Sequence, residues 1–196
     1  MLGRVGLTVA DLQTPADYPL DEYERDSWVR AGRAPEPLAM NCSGKHAAML
    51  VTCVLNGWPT ATYRAVDHPL QQWIRRTIER LAGESAEWTG VDGCGAPVLS
   101  LTVAGLARSL ARSVRAPADA AERRVVTAMA SHPELVGGSR RDVTDFMRAL
   151  PGLVAKDGAE GVFVAALPDG TAIALKVEDG SDRARHRPVR PVLGQR

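Results

Sequence analysis

The string Asn41-Cys42-Ser43-Gly44-Lys45-His46 puts a thiol, a hydroxyl, an amine and an imidazole side by side, immediately before the apolar run Ala47-Ala48-Met49-Leu50-Val51. On the turn entering a helix, free backbone N–H groups and the helix dipole favour negative charge, so a thiolate at Cys42 is expected there. Lys45, three residues on, falls on roughly the same face as Cys42. A second string, Val91-Asp92-Gly93-Cys94-Gly95-Ala96-Pro97, sets another thiol between two glycines, where the backbone can approach a ligand closely. Two thiolates and one neutral nitrogen, from Cys42, Cys94 and Lys45, leave a fourth position for water, the plan of an open zinc site. The same groups also suit a different chemistry, with Cys42 or Cys94 as nucleophile and Lys45 or His46 as base. A phosphate-binding loop is excluded, because the first glycine it requires, four residues before Gly44, is Ala39.

Lysine is scarce: among many arginines only Lys45, Lys156 and Lys176 occur. An amine whose proton can be removed is a property of lysine alone, which draws attention to Lys45 and to Lys156 in Lys156-Asp157-Gly158-Ala159-Glu160-Gly161. Lys156 at a strand edge would act on a nearby nucleophile if burial lowered its pKa. His46 reads as a general base, as a residue that orients another, or as a helix-start histidine satisfied by the fold. Cys53, between Thr52 and Val54, reads as core packing. His68 and His132 precede prolines and read as turn residues. The arginine pairs at 75–76, 123–124 and 140–141 read as solvated helix faces.

Positioning these groups falls to a chain rich in helix signals. After an irregular entry broken by Pro15 and Pro19, a helix opens at Asp21 and stops at Gly32. A mostly apolar helix is predicted over 46–56, and one beginning near Pro69 runs to Gly83. Two more follow, over 103–114 and 118–130, and a short one starts from Ser139 with that serine as its cap. Residues 161–167 and 171–177, joined by Pro168-Asp169-Gly170, read as an antiparallel hairpin. The expected class is therefore α+β, helices packed on an antiparallel sheet. Residues 1–180 read as a single partial domain, and residues 181–196 as a loose tail rich in arginine and proline.

With a net charge of +1 and 45% apolar residues, the composition gives no reason to expect a nucleic-acid partner. No apolar run approaches a membrane span, and a reduced, cytoplasmic setting suits three cysteines that lack disulfide-scaffold spacing.

Taken in order, Asn41 to Ala47, Asp92 to Pro97, His132 to Gly138, Lys156 to Val162 and Ala174 to Gly180 resemble the L-asparaginase II family of Rhizobium etli type, over roughly residues 6–184. The resemblance implies a fold similar to serine β-lactamases and penicillin-binding proteins. It also implies hydrolysis of the side-chain amide of L-asparagine to L-aspartate and ammonia. By the same resemblance Cys42, Lys45 and Cys94 would bind a zinc ion, Asp92 would stand beside it and hold a water, and Lys156 would be the catalytic lysine paired with a serine; with Asp92, His46 is taken as the residue positioning substrate or water. That family carries its nucleophile in a Ser-x-x-Lys motif upstream. Positions 42, 153 and 173 are Cys, Leu and Ile, so this chain contains no such motif. The expectation is a chain truncated at both ends, with two alternatives beside the asparaginase reading: a catalytically dead zinc- or asparagine-binding fragment, and a Cys-dependent amidase. A missing third of the fold would leave apolar surface to be covered by a homodimer partner or by the missing segment.

Overall fold

The computed structural model describes residues 1–182 and divides them into two compact units: Met1–Glu79 with Ala86–Ser100, and Arg80–Ser85 with the chain from Leu101 onward. The span read from sequence as one partial domain holds both. Residues 183–196, most of the stretch read as a loose tail, lie outside the described residues. No helix among the described residues is long and apolar enough to cross a membrane.

The first unit is helical with one short hairpin. Its entry is not irregular throughout: two 3₁₀ turns, Leu2–Val5 and Val9–Asp11, precede the prolines. The Thr8 hydroxyl and the Asp11 carboxylate cap the second of these reciprocally. Helix α1 spans Glu22–Arg30, and the Asp21 carboxylate accepts from the Tyr23 and Glu24 amides as the sequence suggests. Helix α2 spans Ser43–Leu55, beginning three residues before the predicted start. Ser43, Gly44 and Lys45 therefore belong to its first turn, with Cys42 as N-cap. Helix α3, Pro69–Ala82, begins at the predicted proline.

Leu50, Cys53 and Tyr63 are fully buried with Leu12 and Leu70 around them, forming the core of this unit. Cys53 is thus a packing residue. Strands β1, Thr89–Val91, and β2, Pro97–Leu99, pair antiparallel, with Gly90 opposite Val98. At three residues each they are too short to show an alternation, which is why sequence reading missed them.

The second unit contains a three-stranded antiparallel sheet in the order β3-β4-β5, formed by Val154–Asp157, Val162–Ala166 and Ala172–Lys176. The predicted hairpin is β4–β5. Strand β3 extends it to a size that can support itself. Helix α4, Val103–Arg115, lies against β4 and β5, and α5, Ala121–Ser131, against β3. Helix α6, Pro133–Gly137, a turn of helix that the sequence reading did not separate out, packs on α7, Asp142–Ala149.

Side chains alternate across β3 and β4. Ala155, Phe163 and Ala165 pack with Val143 and Met147 of α7, while Val154 and Ala166 pack with Val114 of α4 and Val126 of α5. Both faces of the central strand are covered, so β4 reads as an unbroken apolar run. Two expectations are corrected here. The N-cap of α7 is Arg141 and not Ser139. Arg141 is also not on a solvated face, since its guanidinium pairs with the buried carboxylate of Asp157.

The start of α4 carries a pH-dependent contact. The Thr102 hydroxyl caps the helix by accepting from the Gly105 amide at 2.9 Å, and Thr102 itself donates to Glu84 through its amide at 2.6 Å and its hydroxyl at 2.8 Å. The backbone bond first, then the hydroxyl, hold the Glu84 carboxyl below its usual value of 4.5, with Arg108 adding to the effect. A carboxyl depressed in the folded state stabilises the fold above its unfolded value and loses that contribution as pH falls through the folded one. Glu84→Gln is accordingly expected to lower the Tm at neutral pH, and the gap from wild type should close well below pH 4.5. Thermal melts across that range check it; a gap independent of pH would contradict the assignment.

Candidate metal and active site

Two segments of the first unit bring the opening groups together. At the start of α2 the His46 amide donates to the Cys42 carbonyl at 3.0 Å, closing the first helical turn around the cysteine. The Cys42 amide, which no helix carbonyl can accept, donates to the Met40 sulfur at 3.0 Å. Between β1 and β2 the Asp92 amide donates to the Ala96 carbonyl at 2.9 Å and the Gly95 amide to the Asp92 carbonyl at 2.8 Å. Gly95 completes this turn at φ +81°, a conformation other residues adopt only with strain. The turn drives Cys94 inward, where its side chain is almost wholly buried beside Met40 and Ala96.

Asp92 is the hub. Its Oδ2 accepts from Lys45 Nζ at 3.2 Å and from Cys94 Sγ at 3.3 Å, while its Oδ1 accepts from the Gly93 amide at 2.8 Å. Ligand atoms of Cys42, Asp92 and Cys94 all lie within 4.8 Å of one another. Ligands of a tetrahedral zinc ion at the usual Zn–S length stand about 3.8 Å apart, so both the donor types and their span fit such an ion.

Electrostatics sharpen the picture and overturn one expectation. Burial, followed by the neighbouring Cys94 and Asp92, pushes the Cys42 thiol above its usual range despite the opposing charge of Lys45. The helix start alone therefore does not make Cys42 a thiolate. Burial by itself would lower the Lys45 amine, but Cys42, Cys94 and Asp92 together outweigh it and raise the amine. Asp92 is raised by burial, yet the Cys94 and Lys45 hydrogen bonds and the lysine charge bring it below the usual carboxylate value. Lys45 and Asp92 thus stand as an ion pair, and the Cys42 thiol holds its proton beside them. A dication taken up by this cluster would expel those protons.

His46 lies on the buried face of α2 with Leu50 and Cys53. Its Nδ1 is 2.6 Å from the Tyr63 hydroxyl, whose oxygen also accepts from the Gln13 amide at 3.1 Å. Burial, then the charges of Lys45 and Arg64, lower the imidazole to about 4, so it is neutral near pH 7. Its Nε2 has no hydrogen-bond partner among the described residues. His68 is likewise buried, capping α3 by accepting from the Leu70 amide at 3.1 Å.

Beside the cluster opens a cleft of about 570 Å³, lined by Gln13, Thr14, Pro15, Arg64 and the turn from Asp92 to Gly95. Gln13, Tyr63 and Arg64 were not singled out in the sequence. They occupy segments without periodicity, and no spacing links them to either cysteine string.

Lys156 belongs to the second unit, on edge strand β3 opposite Val164 of β4. Its Nζ donates to the Asp157 carbonyl and to Asp157 Oδ1, each at 2.6 Å, and its side chain is 46% exposed.

The chain is thus of the α+β class, with a thiol–carboxylate–amine cluster beside a cleft. The family model for L-asparaginase II matches residues 1–195, and the chain belongs to that family, a family of amidohydrolases. No curated protein matches the chain.

Proposed function

We propose that the chain serves an L-asparaginase, releasing ammonia from the side-chain amide of L-asparagine. Support comes from family membership together with one observation above all: Cys42, Lys45 and Cys94 converge on the Asp92 carboxylate from segments 47 residues apart. The cleft alongside them is of a size suited to a small polar substrate.

In this reading Cys42, Cys94 and Lys45 would hold a zinc ion, with the Asp92 carboxylate in the same cluster. Zinc, when bound, supplies a Lewis acid for the amide oxygen or a water of lowered pKa. The chain's own contribution is positional. The turn at Gly95 and the first turn of α2 hold the two thiols. Asp92 keeps Lys45 oriented until its proton is lost, and neutral His46 excludes a further positive charge beneath the site. Lys156 would take a proton from a serine hydroxyl, which attacks the amide carbon, and would return that proton to the amide nitrogen as it leaves as ammonia; water would then cleave the ester. That serine would come from a Ser-x-x-Lys segment, which the 196 residues do not contain. Three free thiols, Cys42, Cys53 and Cys94, suit a reducing compartment such as the cytoplasm.

The test is ammonia release from L-asparagine by zinc-loaded protein. With a Ser-x-x-Lys segment supplied alongside the 196 residues, turnover that falls roughly 10²- to 10⁴-fold in Lys156→Met is the expected result, the range typical of a lost proton-transfer group. A second reading, the binding fragment without turnover, is favoured by the missing Ser-x-x-Lys. Tight zinc or asparagine binding with no ammonia above the uncatalysed rate would put it in place of the first.

A further inference from the structure

Arg64 is a half-buried cation whose charge the described structure leaves unmatched. Its Nε donates to Gln13 Oε1 at 2.7 Å, and the Gln13 amide is itself held by donating from Nε2 to the Ala61 carbonyl at 2.8 Å. No carboxylate among the described residues forms an ion pair with it, and its Nη donors have no hydrogen-bond partner there. A neutral acceptor thus fixes the guanidinium through Nε and leaves the forked Nη edge for something else. Planar, paired donors of this kind match a carboxylate bidentately.

Its position is as specific as its bonding. Arg64 lines the cleft with Asp92 and Cys94, and its guanidinium lies against Gly95, where a Cβ would overlap Nη1. Glycine at this point therefore serves twice, forming the turn that buries Cys94 and admitting the arginine onto it. The free cation and the thiol–carboxylate cluster share one cleft, the arrangement required by a ligand with an anion at one end and a reacting group a few bonds away.

We propose that Arg64, tethered by Gln13, binds the α-carboxylate of an amino-acid substrate whose side-chain amide is directed at the Asp92–Cys94 end of the cleft. The identity of the ligand as asparagine rests on the asparaginase reading; the carboxylate anchor rests on Arg64 itself. The assignment makes Arg64 a specificity-determining residue, selecting α-amino acids over simple amides.

The experiment is calorimetric titration of the zinc-loaded chain with L-asparagine and with 3-aminopropanamide, which keeps the amide and amine but lacks the carboxylate, alongside an ammonia assay. Wild type is expected to prefer L-asparagine by about 10- to 100-fold, the range of a charge-assisted hydrogen-bonded pair. In Arg64→Met the preference should fall to near unity, and in Arg64→Lys part of it should survive. Gln13→Ala, which frees the tether without removing the charge, should reduce it several-fold and serves as the deciding variant should Arg64→Met not fold. Full preference retained in folded Arg64→Met, or in Gln13→Ala where the former does not fold, overturns the anchor. Arg64-dependent preference without ammonia release leaves the anchor standing and removes the hydrolytic reading. Ammonia release with preference indifferent to Arg64 does the reverse, and an absence of both binding and ammonia removes both.

Discussion

Replacing Cys94 by serine is expected to weaken zinc binding by well over the roughly 10- to 100-fold that loss of an outer partner of a metal ligand costs. The thiol is almost wholly buried, its Sγ already lies 3.3 Å from Asp92 Oδ2, and the Gly95 turn gives it no other direction to face. A serine hydroxyl in its place is a poor zinc ligand, because it does not ionise near neutral pH as a thiol does. Metal content after dialysis, and competition with a chromophoric chelator, read the effect directly. Cys53→Ser is the matched control: it also alters a buried thiol, but one within the Leu12, Leu50 and Tyr63 core. That variant should keep its zinc while losing about 1–3 kcal/mol of stability to a buried hydroxyl. Because the Cys42 thiol and the Lys45 amine both sit above their usual values, zinc affinity of the wild type should rise with pH as those protons leave. Equal zinc retention by Cys94→Ser and wild type would remove the metal reading.

Phe163→Ala is expected to cost about 3–5 kcal/mol, the usual penalty for emptying a fully buried aromatic site. Phe163 is fully buried on the central strand β4, packed edge-on to Phe146 with ring centroids 6.1 Å apart, and set in register opposite Asp157. Its neighbours Val143, Met147 and Leu153 belong to elements tied by backbone bonds, so the void cannot readily collapse. For a chain of this length the loss corresponds to a Tm drop of roughly 10 °C. The same strand pairs with β3, which carries Lys156, so any lysine-dependent turnover should decline at lower temperature in the variant than in wild type. A melt within a few degrees of wild type would show that this core is not the one that stabilises the second unit.

Much of the framework was legible because its signals are local. Asp21 before α1, Pro69 at the start of α3 and the Pro168-Asp169-Gly170 turn between β4 and β5 act through neighbouring backbone groups, and each operates where the sequence places it. The α+β class follows from helical periodicities beside one apolar hairpin. Strands β1, β2 and β3 were not legible, being three or four residues long and stabilised by partners that sequence order does not reveal. Ser139 and Arg141 show the same limit at a helix start: a serine three residues before an aspartate is a capping signal, but α7 begins after Arg141, whose side chain pairs with Asp157.

The sequence by itself determined which groups are the candidates for chemistry. Cys42, Lys45, Asp92 and Cys94 stand out by type, by the scarcity of lysine and by the glycines around Cys94, and their strings place the chain in its family. Tertiary structure alone decided that Asp92 Oδ2 is where Lys45 and Cys94 meet, that burial pushes the Cys42 thiol up, and that Arg64 faces the same cleft. The reason is one of range. A residue's type and its neighbours within a helical turn are written along the chain, whereas a thiol's proton and an arginine's missing counter-ion depend on burial and on groups some fifty residues away.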